Sequence, residues 1–209
     1  MKIKRWISLA LTAVMAVSVL TACGGGGGSG VSGSISNSGV QAELKATGVD
    51  VDLTYDSTMN IAVNEAAAEL AKSGSISAAR NKVMSKMEWD ALSVLRKAWE
   101  SLWNGGILTP RTSYGLVHVV KAADLESNQG DGWILGQVGV HGGKAALIAP
   151  INTPERYAAT LLLAVDGTVG TLSEKVNSKA HVSYSVAGRK ATAPDGTEYW
   201  VFAAQIHIA

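Results

Sequence analysis

An α+β fold is predicted by three observations. Apolar residues recur every three to four positions through much of the first half, short alternating runs take over after Pro110, and Asp-Gly pairs stand between several of those runs. Strands joined by tight turns pair antiparallel. The expected order is therefore N-terminal helices followed by a mostly antiparallel sheet.

Each element has its own signal. Residues 40–47 (VQAELKAT) read as a short helix ended by Gly48, and 49–55 alternates as an extended segment. Asp56 or Ser57 offers an N-cap oxygen to otherwise unbonded amides. Met59, Val63, Ala66 and Leu70 then share one helical face, Lys72 sits in the last turn, and Gly74 suits a left-handed cap, which predicts a helix over about 57–72. A second helix runs from Ser77 to about Trp103, with Leu92, Leu95, Trp99 and Leu102 on one face, and stops at Asn104, Gly105 and Gly106. Trp89, Trp99 and Trp103 on that stretch read as core rings more readily than as a ligand platform. Strands are predicted at 113–121, 133–140, 145–148, 180–187 and 198–208, with turns at Asp131-Gly132, Asp166-Gly167 and Asp195-Gly196. Thr153, Pro154 and Glu155 open a helix carrying Tyr157, Leu161 and Val165 on one face, although the same residues also alternate acceptably as a strand. Ser113-Tyr114 through Trp133 and Ser183-Tyr184 through Trp200 read as two similar hairpins.

The amino terminus carries the most specific signal. Lys2, Lys4 and Arg5 precede an apolar run at 6–20 and the small residues Thr21 and Ala22, the order of a secretory signal peptide. A membrane-spanning helix needs about 20 apolar residues, and this run of about 15 leads into a glycine tract. Leu20, Thr21, Ala22 and Cys23 resemble the lipobox of bacterial lipoproteins. The resemblance implies that residues 1–22 are removed, that the Cys23 thiol receives a diacylglycerol group, and that the new amino terminus is acylated. The expected address is the bacterial cell envelope, with the membrane as a partner through the lipid. Gly24, a non-Asp residue after the cysteine, implies the outer membrane in a Gram-negative cell. Each buried methylene of an acyl chain adds about 0.8 kcal/mol, so several chains hold the protein permanently.

Removing 22 of 209 residues leaves 187, enough for one domain with a real core. The whole chain is +1 and its first 22 residues hold three positive side chains, so the remainder is −2. That balance offers no footprint for nucleic acid. Cys23 is the single cysteine, which excludes both an intramolecular disulfide and thiol catalysis once it is lipidated. Residues 24–39 are nearly all Gly and Ser and read as a flexible tether of roughly 20 to 24 Å, so the expected organisation is signal 1–22, lipidated cysteine and tether 23–39, and one α+β domain 40–209. The tether contains a formal GxGxxG match at Gly28, Gly30 and Gly33, but no strand precedes it and no helix follows at the required distance.

Chemistry is sparsely signalled. The four histidines are His118, His141, His181 and His207, and none is paired at metal-ligand spacing. His118, His181 and His207 fall in predicted strands and are the candidate site residues, with His181 and His207 able to meet across neighbouring strands. Alternation puts Trp200, Phe202, Ile206 and Ile208 on one face and Tyr199, Gln205 and His207 on the other, which predicts His207 on a surface of the sheet. No serine stands in a GxSxG elbow. His141-Gly142-Gly143-Lys144 has Ala145 where a phosphate loop places Ser or Thr, and reads as a turn. Asp50, Asp52 and Asp56 read as a solvated edge beside a helix cap rather than a calcium site. No metal and no cofactor beyond the lipid on Cys23 is expected.

Leu53, Thr54, Tyr55 and Asp56, followed by an alanine-rich helix ending in Glu69, Leu70 and Ala71, resemble the opening of CAP domains, the cysteine-rich secretory and pathogenesis-related superfamily, in their cysteine-poor bacterial form. The later segments with Trp133 or with Tyr199, Trp200 and Val201 resemble that family's closing strands. The resemblance implies an α-β-α sandwich. It also implies a cleft lined by two histidines and two acidic residues, yet Ala78 stands where the first histidine belongs, and no Gly-Glu-Asn element or clear second histidine is present. The expected role is non-enzymatic binding of a small ligand, lipid, glycan or protein partner at the envelope. The alternatives are an envelope hydrolase with a site assembled from distant residues, and a structural accessory subunit of an envelope complex.

Overall fold

The structure, a computed structural model, describes residues 30–49, 51–87, 89, 112–127, 148, 150–176 and 182–208. In chain order these form β1 (Val31–Ser34), α1 (Asn37–Ala46), α2 (Ser57–Ser73), α3 (Ile76–Lys86), β2 (Thr112–Lys121), α4 (Ala122–Glu126), α5 (Pro154–Val176), β3 (Val182–Thr192) and β4 (Glu198–Ile208). The strands make one antiparallel sheet in the order β1-β3-β4-β2. The predicted α+β class is what the chain adopts.

Both faces of the sheet are covered, so its strands are apolar on both sides. On β4, Trp200, Phe202, Ala204 and Ile206 pack with Val40 and Leu44 of α1 and with Tyr157, Ala158, Leu161 and Leu162 of α5. Tyr199, Val201 and Ala203 pack the other way, against Met59, Ala62, Val63, Ala66 and Leu70 of α2 and against Ala79 and Val83 of α3. Among the described residues these elements make three layers, α1 and α5 on one face of the sheet and α2 and α3 on the other. Each fully buried large apolar side chain contributes about 1.5 to 3 kcal/mol. On the α2 side many of the facing residues are alanines, Ala62, Ala66 and Ala67 against Ala187 and Ala203, and small side chains let helix and sheet approach closely.

The helix ends follow their local chemistry. Asp56 caps α2, its Oδ1 accepting from the Met59 amide at 2.9 Å, and Gly74 closes it at φ 66° with its amide on the Leu70 carbonyl. Ser36 caps α1 and Ser75 caps α3, each through its Oγ. Pro154 opens α5 as its fixed φ suits a first helical residue, and Thr153 accepts from the Arg156 amide at 3.3 Å. An Arg156–Glu43 ion pair at 3.1 Å ties α5 to α1.

Several expectations are corrected. The tether was expected to reach Gly39, but Val31–Ser34 pairs with β3 and α1 already begins at Asn37, so the ordered domain starts by Gly30. Pairing with β3 supplies the backbone partners that the Gly/Ser composition does not advertise. Gly33, at φ 68°, sits where the β1–β3 register shifts, so this member of the GxGxxG match serves a bulge. The second helix was expected to run to about Trp103, but it ends at Lys86: Met87 is extended at φ −91° and ψ 110°. Asp166-Gly167 was expected to turn, yet α5 runs through it to Val176 as a helix. A helical glycine costs about 1 kcal/mol, less than the burial gained by the apolar run at 157–165. β2 leads into α4 and pairs with β4, and the second half of the hairpin expected from Ser113 through Trp133 lies outside the described residues. The Ser183–Trp200 hairpin is present, with Asp195 Oδ1 accepting from the Thr197 amide in its turn. Strand β3 extends to Thr192, beyond the expected 187. The expected strand at 133–140, most of that at 145–148, the glycine turn at 140–144, Trp99, Trp103, His141 and His181 lie outside the described residues, as do Cys23 and the signal segment. Among the described residues, no helix is long and apolar enough to cross a membrane.

Candidate functional site

At one end of the sheet, on the face that α2 and α3 cover, the alternation turns from apolar to polar on three strands together. The register places Ser183 of β3, His207 of β4 and Ser113 of β2 side by side, and Ser185, Gln205 and Gly115 in the next same-face row. Here α2 begins and α3 has already ended, so neither of these helices covers the strand ends. The result is a cleft of about 810 Å³ lined by residues 54–58, Lys86, Met87, Trp89, Ser113, Ser183, Ser185, Gln205 and His207.

A relay of hydrogen bonds fixes its floor. The Trp89 indole Nε1–H donates to Gln205 Oε1 at 2.6 Å, and Gln205 Nε2–H donates to Asp56 Oδ2 at 3.2 Å. The other Asp56 oxygen caps α2. One carboxylate therefore serves both a helix N-terminus and the cleft, and the two donations set the orientation of the Gln205 amide. Trp89 lies flat on bare backbone: a Cβ built on Gly115 would stand 2.1 Å from its Cε2. Beside this relay, Ser113 Oγ and His207 Nδ1 are 2.8 Å apart. That contact holds the imidazole ring and leaves Nε2 as its other polar atom.

The electrostatics of the cleft are mild. Lys86 is the one cation among the described lining residues, and its Nζ bonds Glu65 on α2, which Lys82 also approaches at 3.7 Å. The Lys86 hydrogen bond is the main cause of a lowered Glu65 pKa. Tyr55 stands at the rim with 68% of its surface exposed, the most open of the exposed large apolar residues described.

The sequence-predicted histidines separate. His207 lies in the cleft, on the face it shares with Gln205 as the alternation predicts, and is half-buried. His118 lies on the opposite face of the sheet, its Nδ1 bonded to the Tyr157 hydroxyl and its ring 5.8 Å from the Tyr157 ring. Burial lowers the His118 pKa, with the Arg80 charge adding to it, and burial pushes the Tyr157 phenol well above its ordinary value. Both shifts favour the neutral forms, and the two groups share one hydrogen bond between the Tyr157 hydroxyl and His118 Nδ1. His118 and His207 thus face opposite sides of the sheet, and the expected pairing of His181 with His207 lies outside the described residues. Asp52 accepts from Gln41 Nε2, Asp56 caps α2 and accepts from Gln205, and Asp50 lies outside the described residues. Among the described residues no three metal-ligating side chains cluster.

Sequence reasoning put Gln205 and His207 on one face but did not bring Asp56 and Trp89 to them, and it passed over Ser113, Ser183 and Ser185 as site residues. The signal was present in the paired patterns Ser183-x-Ser185, Gln205-x-His207 and Ser113-x-Gly115, each polar or bare on the same side of its strand. No family model, no curated protein and no solved structure matches this chain.

Proposed function

We propose that the chain is a lipid-anchored protein of the bacterial cell envelope that binds a small polar ligand, without chemistry, in the cleft at the β2-β4-β3 sheet end. The observation that carries this reading is the cleft itself. Its volume of about 810 Å³ lies within the roughly 300 to 1,000 Å³ of small-molecule sites, and convergent polar groups line a rigid floor. The lipobox-like Leu20–Cys23 segment supports the anchor, and the three-layer arrangement is compatible with the CAP resemblance.

Two experiments test it. Thermal melts of the full-length protein in detergent micelles against a library of polar metabolites should find a ligand that raises the melting temperature by mass action, and Ser183→Trp, which plugs the cleft, should abolish the shift. A ligand whose effect survives the plug would contradict the site. Metabolic labelling with palmitate should mark the wild type and leave Cys23→Ser unlabelled.

A second reading rests on the 2.8 Å contact between Ser113 Oγ and His207 Nδ1, an arrangement that could activate a serine for ester hydrolysis. Turnover of p-nitrophenyl esters that disappears in Ser113→Ala would favour it. Equal rates in the two proteins would remove it.

A further inference from the structure

We infer that the ligand of this cleft is a neutral saccharide, held by a polar floor and by Tyr55 stacked on one sugar face. The inference rests on the binding role proposed above and concerns the same cleft.

Three features select this class. The first is charge: the cleft offers the Asp56 carboxylate, and its one described cation, Lys86, is already paired with Glu65. An anionic ligand would meet an acidic residue, and among the described lining residues no Lys or Arg is left unpaired to face it, so phosphorylated and acidic compounds fit poorly. The second is the kind of polar group. Ser183, Ser185, Thr54, Ser57 and Thr58 present hydroxyls that both donate and accept, which matches a ligand whose own groups are hydroxyls. Gln205 adds a planar amide: Trp89 occupies one lone pair of Oε1 and Asp56 takes one Nε2 hydrogen, leaving one acceptor and one donor position. A neighbouring acceptor and donor of fixed direction suit two adjacent hydroxyls on a ring.

The third feature is the exposed aromatic ring. Tyr55 precedes Asp56 directly, so the capped start of α2 fixes its backbone at the rim. A pyranose presents C–H groups on one face and hydroxyls around its edge. An exposed phenol ring beside a hydroxyl-lined floor can cover the first while the floor bonds the second. A hydrocarbon ligand would leave the floor's polar groups desolvated and unpaired, at about 1 to 3 kcal/mol each. The cleft exceeds what one sugar ring fills, which points to a short oligosaccharide.

The test uses the full-length protein in detergent micelles and saturation-transfer NMR. The probes are maltotriose, cellotriose, mannotriose and chitotriose, with trigalacturonic acid and the free amino acids as controls. The expected result is saturation of ring protons of at least one neutral trisaccharide. Tyr55→Ala should weaken that binding roughly three- to tenfold, and Tyr55→Phe should leave it within about twofold. Tighter binding of trigalacturonic acid, or an affinity indifferent to Tyr55→Ala, would overturn the assignment. Binding of amino acids alone, blocked by Ser183→Trp, would overturn the saccharide class and leave the cleft as a ligand site. Failure of every probe here and of the metabolite library would sink both readings.

Discussion

The two faces of the sheet use the same three long strands and end differently. On the α1/α5 face, the polar pair His118 and Tyr157 is turned inward, bonded to each other and stacked with Phe202, whose ring centroid is 4.7 Å from that of Tyr157. On the α2/α3 face, the polar groups Ser113, Ser183, Ser185, Gln205 and His207 gather where the helices stop, and they line a cleft. Polar residues in strands therefore have two fates. Those under a helix must find each other, as unpaired burial is costly. Those beyond a helix end are open to a ligand.

Substitutions can break each side of that contrast separately. The largest effect is expected from Phe202→Ala, which empties a fully buried ring site between Tyr157 and Trp200 and should cost about 3 to 5 kcal/mol in denaturant unfolding. The native fraction should keep its cleft, because Phe202 faces the other way. Gly115→Ala comes next: the new methyl must displace the Trp89 indole, at about 1 to 3 kcal/mol, and a red shift of the Trp89 fluorescence should report its exposure. Cap removal sharpens the comparison further. Asp56→Ala and Ser36→Ala should each cost about 0.5 to 2 kcal/mol, yet only Asp56→Ala frees the Gln205 amide and should alter the cleft.

The smallest effect is a pH dependence confined to the sealed face. The His118 pKa is depressed in the folded protein below its ordinary 6.5, so the unfolded chain takes up the proton first as pH falls. The contribution of His118 to stability is therefore full above about pH 6.5 and is lost as pH falls through the folded pKa. Melting temperatures from about pH 7 to about pH 5 should decline less steeply in His118→Gln than in the wild type, the difference not exceeding about 1.4 kcal/mol per pH unit.

Much of the architecture was legible in the chain, for local reasons. The Asp56 cap, the spacing of Met59, Val63, Ala66 and Leu70, and the Gly74 stop define α2 within one residue of its actual end. The alternation of β4 sets its limits at Glu198 and Ile208. The failures came where a distant partner decides. Nothing local says that Val31–Ser34 pairs with a strand more than 150 residues away, or that α5 carries Gly167 through its interior. The cleft was half legible: alternation put Gln205 and His207 on one face, but only the strand order β3-β4-β2 sets the serines beside them. His118 and His207 looked equivalent in sequence, and one residue parity on their strands sends them to opposite faces.

The most direct test is a side-chain NMR map of the full-length protein in micelles, titrated with the trisaccharide panel. Shift changes should appear at the Trp89 indole N–H, the Gln205 amide and the His207 ring, while the His118 ring stays still. Changes centred on His118 and Tyr157, with the Trp89 and Gln205 signals unmoved, would contradict the assignment of the cleft as the binding site.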